Sequence, residues 1–424
     1  MKLTVDQLEQ RLAAELGPDA VSLDADRLAT HKIDGKQPVL VCTPGTRDQV
    51  SAALRLCADA AASVIPWGGG TAMALGNPPR QVDVVLNTSR LNGVIEHDHA
   101  NLTVTVESGL SLTALQQRLA DQRQFGPFDP PFPERSSVGG IVAANLNGSR
   151  RGCYGSVRDL VIGMKVALIS GEQIKAGGKV VKNVAGYDMC KLFVGSLGTL
   201  GIITELTLRL VPLPESVSTV VAAGTFSQAE QFIRELFRSR LLPTAVILSN
   251  ERAHEPWSVA IRSEGFEESV ARCRRDLDTL AVQAGMSAQL LSAGEHEEFW
   301  RAVRDFPLQD KRLIYRITLP RAEICDFLHR AQNWPDTETT TDNVNGTIWL
   351  ACEPTKASVQ RFSDLATLAR ARRGHAMIFA APGDLKQGFE VWGDSPPAFS
   401  LMRDVKHQFD PRGLLNPGRF VGSL

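Results

Sequence analysis

The residues best suited to chemistry in this chain of 424 residues lie in three glycine clusters. In the first, Gly68, Gly69 and Gly70 precede Thr71 and Ala72. Consecutive glycines reach positive φ, and without a Cβ their N–H groups converge on one anion, to which the threonine hydroxyl adds a donor. A flexible turn would give the same letters. In the second, Gly139 and Gly140 lie between Ser137 and the small residues Ala143 and Ala144, a backbone that either a flat ligand or a neighbouring helix can approach closely. The third spaces Gly195, Gly198 and Gly201 three apart, ahead of a strand. That order is not the Gly-x-Gly-x-x-Gly fingerprint between strand and helix, which argues against NAD on such a fold. Gly177-Gly178-Lys179 is followed by valine and lacks the earlier glycine of a phosphate loop.

The elements around the first cluster say where it sits. VLVCTP (39–44) reads as a buried strand, and RDQVSAALRLCADAA puts Val50, Ala53, Leu54 and Cys57 on one helical face. SVIPW (63–67) resumes strand character, so the glycines end a β-α-β unit, beyond the carboxyl end of a strand, where α/β folds place ligands. From Val82 to Pro214 strand-like segments dominate, with His97 and His99 in a polar turn between them. Past the prolines of VPLPES (211–216) strands and helices alternate, as in two β-α-β pieces of one antiparallel layer, through duplication or as a single irregular domain. A helix and a Pro/Gly-punctuated tail, FSLMRDVKHQFDPRGLLNPGRF, close the chain.

Composition narrows the ligand. The 46 basic and 47 acidic side chains nearly cancel, which argues against nucleic acid and for a small molecule. Seven cysteines stand singly without a CxxC pair, so neither disulfides, a zinc knuckle nor an iron–sulfur cluster is expected, and any electrons would travel on an organic cofactor. The N-terminus has acidic residues where a signal peptide needs an apolar run, and no run of about 18 apolar residues occurs, so a cytoplasmic location is expected. The Asn-x-Ser/Thr matches at Asn87, Asn101, Asn147 and Asn345 then carry no glycosylation.

The three clusters occur in order with KNVAGYD (182–188) and a C-terminal NPGR (416–419). This combination resembles the vanillyl-alcohol oxidase and p-cresol methylhydroxylase type of FAD-binding flavoenzymes, and within it the FAD-binding subunits of bacterial glycolate oxidases. The resemblance is closest over GGKVVKNVAGYDMCKLFVGSLGTLGIITELTL; it covers roughly residues 39–215 and returns at 405–420. It implies an α+β chain: a two-part FAD-binding domain (1–215), an antiparallel α+β cap domain (216–395), and a segment (396–424) returning to the first. Gly68, Gly69, Gly70, Thr71 and Ala72 would cradle the FAD pyrophosphate, and Ser137, Gly139, Gly140 and Ala144 would line the flavin and its ribityl chain. Gly148, Tyr154 and Gly155 match the loop that closes over the dinucleotide. Gly201 and Ile203 match the adenine end, and Asn416 would lie near the ring. With no His or Cys in WGGGTAM, FAD is expected to be noncovalent.

The same resemblance leaves the substrate side incomplete. A flavin that oxidises a 2-hydroxy acid needs a cation for the carboxylate and a base for the hydroxyl proton. The histidine motifs of similar D-lactate and 2-hydroxyglutarate dehydrogenases, GDGNLH and EHGIG, are replaced here by GTIWLACE and HAMIFAAPGDL. The catalytic candidates are Arg301 and Arg304, beside Trp300 on a probable helix, with Lys182 and Tyr187. A solvated helix face is the favoured reading of the arginines, and simple packing is the alternative for Tyr187. His375 could serve as a base or cap a helix end, and His97 with His99 lacks a third metal ligand, so no metal is expected. The resulting expectation is an FAD-carrying subunit that oxidises glycolate or a similar 2-hydroxy acid and passes electrons to a second flavin subunit and an iron–sulfur subunit, any attachment to the inner membrane being made through those partners. The alternatives are a self-sufficient dehydrogenase of another small substrate and a structural subunit; intact glycine clusters argue against the last.

Overall fold

The computed structural model describes residues 4–179, 187–250, 256–309, 312–331 and 337–424. The chain divides into two compact units: Met1–Asn147, Ser156–Pro212 and Lys386–Leu424 form one, Gly148–Gly155 and Leu213–Leu385 the other. No helix among the described residues is long and apolar enough to cross a membrane.

In the first unit, helix α1 (Val5–Leu16) starts at a capping box between Thr4 and Gln7 and buries Leu8, Leu12 and Leu16, spaced four apart along one face. Strand β1 (Leu40–Cys42), helix α2 (Arg47–Ala60) and strand β2 (Val64–Trp67) form the expected β-α-β unit; Thr46 caps α2 by accepting from the Gln49 N–H at 3.2 Å. With β3 (Val84–Asn87) they make a parallel sheet in the order β1-β3-β2, extended at the β1 edge by the antiparallel Val21–Ser22. Cys42 and Cys57 pack in this core, and burial pushes both thiols up, Cys42 to about 12, so they behave as small apolar side chains.

The second sheet is antiparallel: β4 (Val94–Asp98), β5 (Thr103–Glu107), β6 (Val161–Ala167), β7 (Gln173–Gly177) and β8 (Ile202–Arg209), in the order β4-β5-β8-β6-β7. Both edge strands escape the hydrophobic pattern because edges need bury little on either face. His97 therefore lies in β4 rather than in a turn, its Nε2 3.0 Å from Gln124 Oε1. Helix α3 (Val138–Ala144) begins where Ser137 accepts from the Gly140 N–H, and ends at Asn145 in the left-handed region.

The second unit is one eight-stranded antiparallel sheet made of two βαββαβ halves. The first half is β9 (Ser216–Gly224), α4 (Phe226–Arg238), β10 (Ala245–Asn250), β11 (Trp257–Gly265), α5 (Glu267–Gln283) and β12 (Ser287–Leu290). Helix α6 (Ala293–Asp305) leads to the second half: β13 (Leu313–Thr318), α7 (Ile324–Ala331), β14 (Glu338–Asp342), β15 (Thr347–Cys352), α8 (Phe362–Arg370) and β16 (His375–Ala380). The order β12-β9-β11-β10-β14-β15-β13-β16 is symmetric about the β10–β14 junction, which is what a duplicated motif joined at matching edges gives. The amphipathic pattern is clearest in α4, where Phe226, Ala229, Phe232, Ile233 and Leu236 are buried; each large one contributes about 1.5–3 kcal/mol. His375 opens strand β16 instead of capping a helix.

The chain after α9 (Phe399–Phe409) turns back to β2. Val64 donates its N–H to Leu414 and accepts from Asn416, both at 2.8 Å, so the tail lies as a parallel bridge beside the strand that carries the glycines. Lys406, buried, fixes this return by donating to Thr199 O, Asp410 Oδ2 and Leu415 O at 2.8, 2.6 and 3.0 Å.

Candidate functional site

Within the first unit, the turn after β2, the start of α3, the run Leu197–Ile203 and the tail enclose a cleft of about 750 Å3, counting space open to solvent. Gly68, Gly69, Gly70, Thr71 and Ala72 line it. So do Ser137, Gly139, Gly140 and Ala144, and on the remaining sides Gly201, Ile203 and Asn416. Residues more than 200 positions apart in sequence thus meet in one place.

Glycine is required here because backbone packs on backbone. A Cβ on Gly69 would sit 1.6 Å from the Arg135 carbonyl oxygen, and one on Gly68 2.0 Å from Ser137 Oγ. Gly70, at φ +73°, takes a conformation that L side chains rarely adopt, and a Cβ there would meet the Trp67 ring. Gly139 is pressed against Ser108, whose Cβ would be 2.6 Å away, so close packing explains this glycine as the sequence allowed. Thr71 Oγ1 lies 2.9 Å from Ser136 Oγ, tying the glycine turn to the segment before α3.

The lining fits FAD. It is made of backbone, small side chains and apolar surface, and its one charged residue among those described is Arg419. Buried polar atoms at the cleft lack hydrogen-bond partners among the described residues: Ser108 Oγ, Asn416 Oδ1, and Nε and Nη1 of Arg419. Unsatisfied buried groups of this kind are expected where a polar ligand completes the hydrogen bonding. Asn416 is held for such a role, at φ +45° with its Nδ2 donating to Leu197 O at 2.6 Å. Ser108 and Arg419 were not singled out from sequence; the only available signal was that Arg419 ends the NPGR motif.

Other sequence candidates have different surroundings. Gly148, Tyr154 and Gly155 belong to the second unit, where Tyr154 Oη donates to Glu264 Oε2 at 2.6 Å and Arg150 pairs with Glu264 at 3.1 Å. Burial and the adjoining carboxylate push the Tyr154 phenol up, so it stays a donor. Asn345 and Arg151 complete the strap's attachment, Asn345 Nδ2 donating to Ser149 O and Arg151 Nη2 to Asn345 O. Lys182 lies outside the described residues. Tyr187 is 93% exposed, Arg301 is exposed, and Arg304 pairs with Asp305 at 3.2 Å. Trp300 is core: its indole donates to Thr219 Oγ1, and Arg262 lies over its ring at 5.2 Å.

A different arginine in the second unit has the environment of an anion binder. Arg316, on β13, lies 5.5 Å over the Phe379 ring and has no carboxylate partner among the described residues. Burial and the neighbouring Arg151 lower its guanidinium to about 10. An isolated arginine in a strand carries no pattern that separates it from a solvated one, so sequence reasoning passed it over.

Comparison with known proteins agrees with the cleft. The FAD binding domain family matches residues 38–177, and the FAD linked oxidases C-terminal domain family matches residues 386–420. Glycolate oxidase subunit GlcE of Escherichia coli (strain K12) is 32% identical over 78% of this chain and 85% of its own length. Glycolate oxidase subunit GlcD of Bacillus subtilis (strain 168) is 28% identical over 90% of this chain and 88% of that protein. D-lactate dehydrogenase of Archaeoglobus fulgidus is 27% identical over 91% and 92%. Among solved structures, p-cresol methylhydroxylase matches with a TM-score of 0.72 at 16% identity over 98% of this chain and 96% of that one. An alkyldihydroxyacetonephosphate synthase matches with a TM-score of 0.76 at 17% identity over 99% and 87%. The glycine cleft, the tail that returns to it and the kinship with GlcE make this chain a member of the FAD-linked oxidase family that includes the glycolate oxidase subunits, an FAD-dependent oxidoreductase with the fold of p-cresol methylhydroxylase.

Proposed function

We propose that the chain is the FAD-binding subunit of a glycolate oxidase type of complex, oxidising glycolate or a similar 2-hydroxy acid to the 2-oxo acid and passing the electrons to partner subunits. The observation that carries this reading is the glycine cleft in a chain related to GlcE over most of its length. In this reading the first unit is the FAD-binding domain and the second the cap. FAD, when bound, supplies the acceptor for the hydride of the carbinol carbon.

The chain's own residues do the holding. The N–H groups from Gly68 to Ala72 take the diphosphate, and Ser137, Gly139, Gly140 and Ala144 keep side chains away from the flavin and ribityl chain. Gly201 and Ile203 meet the adenine end, and Asn416 offers an unpaired acceptor oxygen. Neither His nor Cys is among the described lining residues, which supports noncovalent FAD, and acid precipitation should leave the flavin in the supernatant. Within the second unit Arg316, which has no ion-pair partner among the described residues, is better suited to hold a carboxylate than Arg304, which pairs with Asp305, or the exposed Arg301.

Anaerobic addition of glycolate or D-lactate to the purified chain tests the assignment, read as bleaching of the flavin band near about 450 nm. Bleaching that requires partner subunits supports the proposal. Bleaching by the chain alone shows a self-sufficient dehydrogenase, and a chain that retains no flavin shows a structural subunit.

A further inference from the structure

The stretch Met73–Gly76, just past the glycine turn, is held by a buried cluster of three charges. Arg419, 2% exposed, donates through Nη2 to Met73 O at 2.9 Å and to Leu75 O, and its Nη1 is 3.8 Å from Asp34 Oδ2. Lys386, 1% exposed, donates to Asp34 Oδ1 at 2.9 Å, Ala74 O at 2.5 Å and Gly76 O at 3.4 Å. Two cations thus share one carboxylate, and the stretch Met73–Gly76, just past the glycines, is held by both. Among the described residues Asp34 is the one acidic group that acts on either cation, and burial lowers Lys386 as well as Arg419, the latter to about 10. Among the described residues one positive charge is left uncompensated, and Nε and Nη1 of Arg419 have no hydrogen-bond partner. A buried unbalanced cation is unfavourable unless an anion completes it. Arg419 is also the one charged residue lining the cleft among those described.

We propose that the Asp34–Lys386–Arg419 cluster is the counter-charge of the dinucleotide diphosphate: its surplus positive charge, fixed at the stretch that follows the glycine turn and reaching the cleft at Arg419, selects the diphosphate-bearing flavin over an uncharged one. The proposal rests on the cleft being the FAD site and adds what the backbone N–H groups lack, a full charge in a region of low dielectric. Arg419 and Lys386 are positioning residues that also set the potential of the turn. Lys386, which does not line the cleft, need not touch the ligand.

The test compares binding of FAD and of riboflavin, which carries no phosphate, to the apoprotein by flavin fluorescence. Arg419→Gln should weaken FAD by about ten- to a hundredfold while leaving riboflavin within about threefold. Arg419→Lys should keep most of the preference because it keeps the charge. Lys386→Met leaves the Arg419 bonds to Met73 and Leu75 in place and lowers the cluster to neutrality, so it should reduce the FAD preference as Arg419→Gln does; it decides the matter should Arg419→Gln not fold. Equal weakening of both flavins, or an unchanged preference in Lys386→Met, overturns the counter-charge and leaves a purely structural clamp. Failure of the unaltered chain to bind FAD removes the FAD reading itself, a result distinct from FAD bound equally by all variants.

Discussion

Replacing Gly69 by alanine is the sharpest perturbation of the cleft. Its Cβ would lie 1.6 Å from Arg135 O, whereas real Cβ atoms essentially never come within 3.0 Å, so the glycine turn and the segment at Arg135 must part by about 1.4 Å. That segment is poorly able to yield. Ser136 donates its N–H to Phe132 O at 2.8 Å and its hydroxyl to Pro131 O at 2.6 Å, and Leu112 donates to Ser136 O at 3.0 Å. The glycine turn must therefore move, stretching the 2.9 Å contact of Thr71 with Ser136 past hydrogen-bonding range, a loss of about 1 kcal/mol. The same shift carries the turn's N–H groups away from an anion bound to them. Losing two charge-assisted bonds of about 1.5–3 kcal/mol each raises the Kd for FAD by about a hundred- to ten-thousandfold. Fluorescence titration of the apoprotein measures this directly. Gly294→Ala, in helix α6 with nothing within 4 Å of its Cβ, is the control and should be neutral or slightly stabilising. A Gly69→Ala protein with a Kd within about threefold of the parent would refute the packing argument.

Three further outcomes are expected. Arg316→Met should lower kcat/KM for a 2-hydroxy acid by about ten- to a hundredfold at unchanged FAD content, while Arg301→Ala and Arg304→Ala stay within about twofold; steady-state assays of the reconstituted enzyme decide between them. Tyr154→Phe removes a donor from the buried Glu264 carboxylate and should destabilise the second unit by about 1–3 kcal/mol, seen by hydrogen exchange. His296, buried with Nδ1 2.8 Å from Thr219 Oγ1, has its pKa lowered from 6.5, first by burial and then by Arg262. The folded state therefore binds this proton less readily than the unfolded chain. The stability it contributes is present above pH 6.5 and lost as pH falls toward the depressed folded value, so the melting temperature at saturating FAD should fall more steeply below pH 6.5 than in His296→Gln.

The site was legible in sequence where its cause is local. Three glycines after a strand, and a serine ahead of two more, are backbone requirements that leave their letters in place, and the family resemblance they carry implied cofactor and fold. The reason for Gly69 was not legible, because the atom that forbids its side chain belongs to Arg135, 66 positions on. The charge cluster was hidden for the same reason: Asp34 and Lys386 are separated by 352 residues, and neither neighbourhood looks unusual alone. Arg316 and the edge strands β4 and β7 show a second limit, since periodicity reports a buried face and says little about a polar residue on a strand or a strand with little to bury. Tyr154 shows a third. Its match to a dinucleotide loop is real at the level of letters, yet its hydroxyl is engaged by Glu264, a partner that the linear motif does not contain.

The strap Gly148–Gly155 has a consequence for how such proteins can be taken apart or recombined. The polypeptide passes between the two compact units four times, at 147/148, 155/156, 212/213 and 385/386. A gene fragment spanning 213–385 would leave Glu264 without Arg150 and Tyr154, a carboxylate sealed from water with part of its donor set removed. Among the described residues Arg262 would remain to hold it. Swapping the second unit between relatives is therefore a two-insertion graft: the eight-residue strap must travel with its sheet, or the recipient inherits an unsatisfied buried charge.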